Sequence, residues 1–278
     1  MSKALVVEGG AMRGVFAAGV LDVFLHRQQH FDFAIGVSAG ATNLATYVSQ
    51  IPGLSRTIIT EYATRREFFS PLRFIRGGHM TDVHWLWHQC RQQLDSRLGE
   101  INTAIPLYVG VTNVDTGQCD YLRAQHDNID DLMVASCSIP MAYRDQPKIG
   151  AHRYVDGGVA DAIPVKKAYE MGAREITVVL SQPLGFSKPT VKSPWLFERL
   201  YGHQPELMQT LLSRPGIYNE TLAFLKNPPS DLSLTIVAPP ADFQVKRLTM
   251  DKKKLTRGYK LGKIAALKML KAQRLAAA

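Results

Sequence analysis

The chain has 278 residues, 46% hydrophobic and 21% charged, which excludes a disordered or low-complexity polymer and allows one large α/β domain with or without an extension. No apolar run approaches the roughly 18 residues of a membrane-spanning helix or the roughly 7–15 of a signal-peptide core, and three scattered cysteines (Cys90, Cys119, Cys137) do not make a disulfide framework, so a cytoplasmic protein is expected. The net charge of +9 is concentrated at the end, where Lys246 to Ala278 holds eleven basic residues against the single Asp251.

Residues 3–7 read as a short buried strand, followed by a glycine-rich turn over 8–14. Residues 15–27 then carry Val15, Ala18, Leu21, Asp22 and Leu25 at helical spacing. A second strand is predicted over 31–37 and a second helix over 39–49, ending before Ile51-Pro52-Gly53. Strand, turn and helix twice in fifty residues predict a mainly parallel, three-layer α/β/α fold. Helices are predicted over 55–67 and 82–94, and two strands, 106–113 and 118–123, flank the turn Asp115-Thr116-Gly117. Further on, 130–138 reads as helix, 153–156 as extended, 164–171 as helix and 175–181 as strand. The proline-rich segment after Gln182 predicts a helix near 219–225, a strand over 232–238 and a basic helix from 251 to about 275. Residues 1–182 are the expected catalytic domain, and 183–278 an extension packed on it.

Gly36-Val37-Ser38-Ala39-Gly40 fits G-x-S-x-G. The pattern arises by chance in about one chain of this length in ten, so its context matters. Here it lies between a predicted strand and a helix, the setting that lifts a strained serine above a sheet and places it at a helix N-terminus. Gly9-Gly10-Ala11-Met12-Arg13-Gly14 is a second strand-to-helix loop. A Walker A loop would need Lys and then Ser or Thr where Val15-Phe16 stand, and a dinucleotide loop would need Gly at Ala11 and an acid at the end of the next strand. What remains is an oxyanion hole beside a nucleophile.

A triad of hydrolase order would need a histidine after the acid. Only His203 follows Asp156, and none of the eight histidines has the context of a base. Asp156-Gly157-Gly158, after Arg153-Tyr154-Val155, puts a carboxylate at a strand end with a tight turn behind it. Held in a partly desolvated site, such an aspartate can take the serine proton.

Together these motifs resemble the patatin-like phospholipases, which use a Ser–Asp dyad without histidine. The order is that of the family: a glycine-rich oxyanion loop with Arg13 before its last glycine, then Gly36 to Gly40, then Asp156 to Gly158. Thr112-Asn113-Val114-Asp115-Thr116-Gly117 and Ala135-Ser136-Cys137-Ser138-Ile139-Pro140 extend the similarity, which covers about residues 3–181. Ala11 departs from it, since the family usually has a third glycine there. The resemblance implies a patatin-like fold and a lipid acyl hydrolase with Ser38 as nucleophile and Asp156 as base. In that scheme the loop N–H groups hold the oxyanion, and no metal or cofactor is needed. It leaves open an acyltransferase using the same dyad, or a non-catalytic protein that binds lipid or a partner.

His84 and His88 have zinc-like spacing, but Trp85 stands where a metalloprotease has its glutamate and no third ligand is evident. Phe68, Phe69, Phe74, Trp85 and Trp87 suit either a lipid-facing lid or packing against the body. In the terminal helix Leu255, Tyr259, Ala266, Met269 and Leu270 form a partial apolar stripe opposite Lys253, Arg257, Lys260, Lys268 and Lys271. That basic face fits peripheral contact with anionic membrane, or a docked helix with a solvated side. No nucleic-acid-reading motif accompanies it.

Overall fold

Strand β1 (Ser2–Val7) contains Ala4, Leu5, Val6 and Val7, all without exposure, as a strand covered on both faces requires. The computed structural model describes residues 2–94 and 105–277. After β1 come a 3-10 turn (Ala11–Gly14), α1 (Val15–His26), β2 (Phe33–Val37) and α2 (Ala39–Val48). Then follow α3 (Leu54–Thr57), a π-helical turn (Ile58–Tyr62), α4 (Pro71–Ile75) and α5 (Val83–Leu94). The middle of the chain holds β3 (Leu107–Asn113), β4 (Cys119–Arg123), α6 (Ile129–Cys137), β5 (Lys148–Ile149) and β6 (His152–Asp156). The remainder is α7 (Val165–Glu170), β7 (Ala173–Val179), α8 (Pro194–Tyr201), α9 (Pro205–Lys226), β8 (Ser233–Val237) and α10 (Lys252–Ala277).

The sheet runs β5-β6-β3-β2-β1-β7-β8, with β4 also paired to β3. The pairs β1–β2, β1–β7, β2–β3 and β7–β8 are parallel, so the sheet is mainly parallel, while β4 and β6 run antiparallel to β3. Side chains alternate along β1. Leu5 and Val7 join the larger core beneath α1, α2 and α6, and Ala4 and Val6 join a second core beneath α7 and α9. This is a three-layer α/β/α arrangement.

Two sequence expectations differ from the structure. The helix over 55–67 is interrupted, since α3 passes into a π turn after four residues. The helix near 219–225 is far longer: α9 starts at Pro205 and carries Pro215 inside it. Prolines in this region mark starts as well as breaks. Pro194 and Pro205 occupy first-turn positions, where the missing N–H has no intrahelical partner to lose.

The chain after residue 182 is joined to the rest through β8 and α10 as well as through α9. β8 extends the sheet beside β7, and α10 lies across α1. The crossing is close because both helices present glycine: a Cβ on Gly262 would stand 2.0 Å from the Phe16 carbonyl oxygen, and one on Gly19 2.1 Å from that of Tyr259. Tyr259 donates its hydroxyl to Asp22 at 2.6 Å beside this crossing. Leu255, Tyr259, Ala266 and Leu270 are buried there, and Lys253, Arg257, Lys260, Lys268 and Lys271 face solvent. No helix among the described residues is long and apolar enough to cross a membrane.

Candidate active site

Register brings the two candidate catalytic residues together. β2 ends with Val37 opposite Gly110 of β3. β6 runs the other way and ends with Asp156 opposite Val111, the next residue of β3. With β4 on the other edge of β3, the ends of β2 and β6 meet head to head along one edge. Ser38, one residue beyond β2, therefore faces Asp156.

Ser38 has φ +53° and ψ −128°, a conformation that costs a non-glycine residue on the order of 1–3 kcal/mol. Its surroundings hold it there. The Ser38 N–H donates to Ser136 Oγ at 2.8 Å, and Ser136 donates in turn to the Gly110 carbonyl at 2.7 Å. The elbow also needs Gly40, where a Cβ would stand 2.4 Å from the Val7 carbonyl oxygen. Gly36 and Val37 are buried at the end of β2, and Ala39 opens α2.

Asp156 is 4% exposed. It caps the short turn Gly157–Val159, its carboxylate accepting the Gly158 N–H at 2.8 Å. Its own N–H donates to Ser138, and Thr112 Oγ1 donates to its carbonyl at 2.9 Å. The stretches Thr112–Gly117 and Ala135–Pro140 thus tie the elbow and the acid to the same strand. Burial raises the Asp156 pKa above the ordinary carboxylate value. The Ser38 hydroxyl, Arg214, the Gly158 N–H and Arg247 act in the opposite direction and favour the anion.

The 8–14 loop divides its donors. Gly9 N–H is spent on the Ala162 carbonyl, Met12 N–H on that of Arg247 and Arg13 N–H on that of Gly10. Among the described residues, the N–H groups of Gly10 and Ala11 have no such partner. Gly14 ends the 3-10 turn, and its carbonyl accepts from Asn43 Nδ2 at 2.8 Å. Ala11, the departure noted in the sequence, has φ +49°, where an alanine is strained and a glycine is not. Ala11→Gly is expected to raise stability by about 0.5–1 kcal/mol with activity retained, and Ala11→Val to lower both. Thermal unfolding of the three proteins checks this, and a destabilised glycine variant would contradict it.

Ser38 opens onto a narrow apolar channel lined by Ile58, Ile59, Leu86, Trp87, Met133 and Cys137, among others. Phe68 lines it and Trp87 is buried in it, so these two aromatics pack inward. Leu72 and Ile75 on α4 are exposed. Among the described residues no histidine lines the channel. Among the described residues no group of three His, Cys, Asp or Glu side chains is placed to hold a metal, and His88 interacts with Gln92.

Three residues near the site were invisible as such in the sequence. Arg214, in the middle of α9, donates to the Gly158 carbonyl at 2.7 Å and is itself drawn down to about 10 by burial. Arg247 lines the channel, and Glu8, 1% exposed, accepts from the Ser181 N–H and the Tyr218 hydroxyl. Only the glycine context of Glu8 pointed to this region.

A mainly parallel α/β/α sheet with a strained serine at one strand end, an acid facing it and a glycine-rich loop alongside defines a patatin-like fold. The chain belongs to the patatin-like phospholipase family, whose model matches residues 5–169. Residues 204–275 match a domain of unknown function, DUF6363. The chain is 35% identical over 271 residues to the uncharacterized protein YjjU of Escherichia coli K12, covering 94% of this chain and 75% of that one. It is 26% identical over 256 residues to mouse Pnpla3, named a 1-acylglycerol-3-phosphate O-acyltransferase, covering 78% of this chain and 58% of that one. VipD from Legionella pneumophila shares the fold, with a TM-score of 0.53 at 13% identity over 98% of this chain and 67% of that one. Membership of the family supports activity of the lipid acyl hydrolase or acyltransferase type.

Proposed function

We propose that the protein is a serine lipid acyl hydrolase, phospholipase A- or esterase-like, working through Ser38 and Asp156. The observation that carries this reading is the Ser38 hydroxyl facing a buried carboxyl at the head of an apolar channel. Ser38 Oγ attacks the ester carbonyl carbon while its proton passes to Asp156. The developing oxyanion takes the N–H groups of Gly10 and Ala11, each such donor contributing about 3–4 kcal/mol. The C–O bond to the alcohol breaks, the leaving oxygen recovers the proton from Asp156, and the acyl group stays on Ser38. Asp156 then takes a proton from water as it attacks the acyl carbon and returns it to Ser38 Oγ as that C–O bond breaks, and the fatty acid leaves.

An aspartate of ordinary pKa, about 3.9, is a poor base, and burial makes this one stronger. A fluorophosphonate probe tests the reading. One label on Ser38, absent from Ser38→Ala, is the expected result, and no labelling of the folded wild type would overturn it. The acyltransferase activity for which Pnpla3 is named supports a second reading, acyl transfer to an alcohol in place of water. Product analysis with added acceptor separates the two. The exposed basic face of α10 supports peripheral contact with anionic lipid. Vesicle co-sedimentation is expected to weaken when Lys252, Lys253 and Lys254 are replaced by Ala, and unchanged binding would count against that contact.

A further inference from the structure

A second cavity, of about 230 Å³, adjoins the glycine-rich loop and is lined by Glu8, Arg13, Lys188, Tyr218 and Arg247 among others. Arg247 lines both this cavity and the apolar channel, so the two adjoin at this residue. Lys188 is built into the wall. Asn219 of α9 accepts its N–H at 2.8 Å and donates to its carbonyl at 3.0 Å. The Lys188 Nζ is buried, has no hydrogen-bond partner among the described residues, and stands 4.2 Å from the centre of the Tyr218 ring. Arg13, 8% exposed, gives its guanidinium to a neutral group, Ser181 Oγ, at 3.1 and 3.3 Å.

The charges around this amine do not balance. Arg214 from α9, Arg247 from the segment before α10 and Arg13 from the loop all share its sign, and Glu8 opposes it. The Glu8 carboxylate is already occupied by the Ser181 N–H at 2.6 Å and the Tyr218 hydroxyl at 2.9 Å. Burial and then like charge draw the Lys188 amine down to about 6. A buried donor without a partner costs about 1–3 kcal/mol, and a group so placed calls for an explanation.

We propose that the cavity bounded by Arg13, Lys188 and Arg247 is an anion subsite that takes the phosphate of the substrate's headgroup while the acyl chain lies in the apolar channel. Phosphate suits it better than carboxylate. It carries more charge and more acceptor oxygens, matching the three N–H donors of an ammonium and the forks of two guanidinium groups. Because Arg247 borders both cavities, one molecule can place its ester at Ser38 and its phosphate beside Lys188. Phosphate binding favours the charged amine, so Lys188 takes up a proton from solvent near neutral pH. The assignment of the anion to a substrate rests on Ser38 being the nucleophile; the existence of the subsite does not.

Two measurements test it. The first titrates inorganic phosphate into Ser38→Ala protein by calorimetry in buffers of different ionisation enthalpy. Saturable binding with proton uptake at pH 7 is expected, weakened at least tenfold by Lys188→Met. The second compares kcat/KM of the otherwise wild-type enzyme on a 1-acylglycerol 3-phosphate and on the monoacylglycerol of equal chain length. Lys188→Met is expected to lower the ratio of the two at least tenfold, and Lys188→Arg to keep it within about threefold. Replacing an amine that has no hydrogen-bond partner with Met, which can still pack on the Tyr218 ring, is not expected to lower the melting temperature, and Arg247→Gln provides a second, solvent-exposed probe. Phosphate binding that depends on Lys188 with an unchanged substrate ratio would assign the cavity to free phosphate and overturn the headgroup role. No phosphate binding by the Ser38→Ala protein, with the wild type still labelling at Ser38, would overturn the subsite and leave the hydrolase reading standing. Binding without any labelling or esterase activity would retain the subsite and remove the substrate assignment.

Discussion

Asp156→Asn is expected to lower kcat/KM on a lipid ester by about 10³-fold or more while the protein remains as stable as the wild type or gains stability. Asparagine has nearly the same shape, and its Oδ1 can still accept the Gly158 N–H that orients Asp156. What it cannot do is take the proton of Ser38, and a positioned general base is worth about 10²–10⁴ in rate. The stability half follows from the direction of the pKa shift. Burial holds the folded-state value above the unfolded one, so folding penalises the ionised form of Asp156. A neutral amide removes that penalty. The same shift places the acid limb of the wild-type kcat/KM profile above the ordinary carboxylate range, since Asp156 must be ionised to act. Kinetics and thermal unfolding of the variant check both halves. Retained activity would remove Asp156 from the mechanism.

Gly262→Val is expected to cost at least about 3 kcal/mol. The reason is the α1–α10 crossing, where the new side chain would start 2.0 Å from the Phe16 carbonyl oxygen. Overpacking against side chains typically costs about 1–3 kcal/mol because they can rotate away, but a helix backbone oxygen cannot. For a chain of this size that is a fall in melting temperature of roughly 6–12 °C. We propose that residues 183–278 fold in one cooperative unit with 1–182, so the whole transition shifts rather than splitting in two. The Tyr259–Asp22 hydrogen bond and the Leu255 contacts lie on the same interface and would be lost with it. Differential scanning calorimetry is the check, and an unchanged melting temperature would show that the crossing is looser than 2.0 Å implies.

Much of the fold was legible because its signals are local. The apolar run 4–7, the turn 8–14 and the helical spacing from Val15 place β1 and α1 almost to the residue, and the same holds for β2, Ser38 and α2. The hairpin around Asp115-Thr116-Gly117 follows from turn chemistry alone, and β3 and β4 pair across it. Prolines misled the reading of 194–226. A proline forbids a helix interior in most contexts but suits a first turn, and composition does not separate the two.

Residue types and spacing by themselves settled that a serine elbow, a glycine-rich loop and an Asp-Gly-Gly turn exist, each at a strand end, because each is a short-range backbone requirement. They left open what meets what. That Asp156 reaches Ser38 depends on β2 and β6 stopping at adjacent residues of β3, a register between strands more than a hundred residues apart. That Arg214, Arg247 and Lys188 gather beside the loop, and that Gly19 and Gly262 let two helices touch, depends likewise on packing between distant segments. Such contacts leave no periodicity in the chain, since long-range pairing is selected by the shape and charge of surfaces that exist only once the sheet and its covering helices have formed.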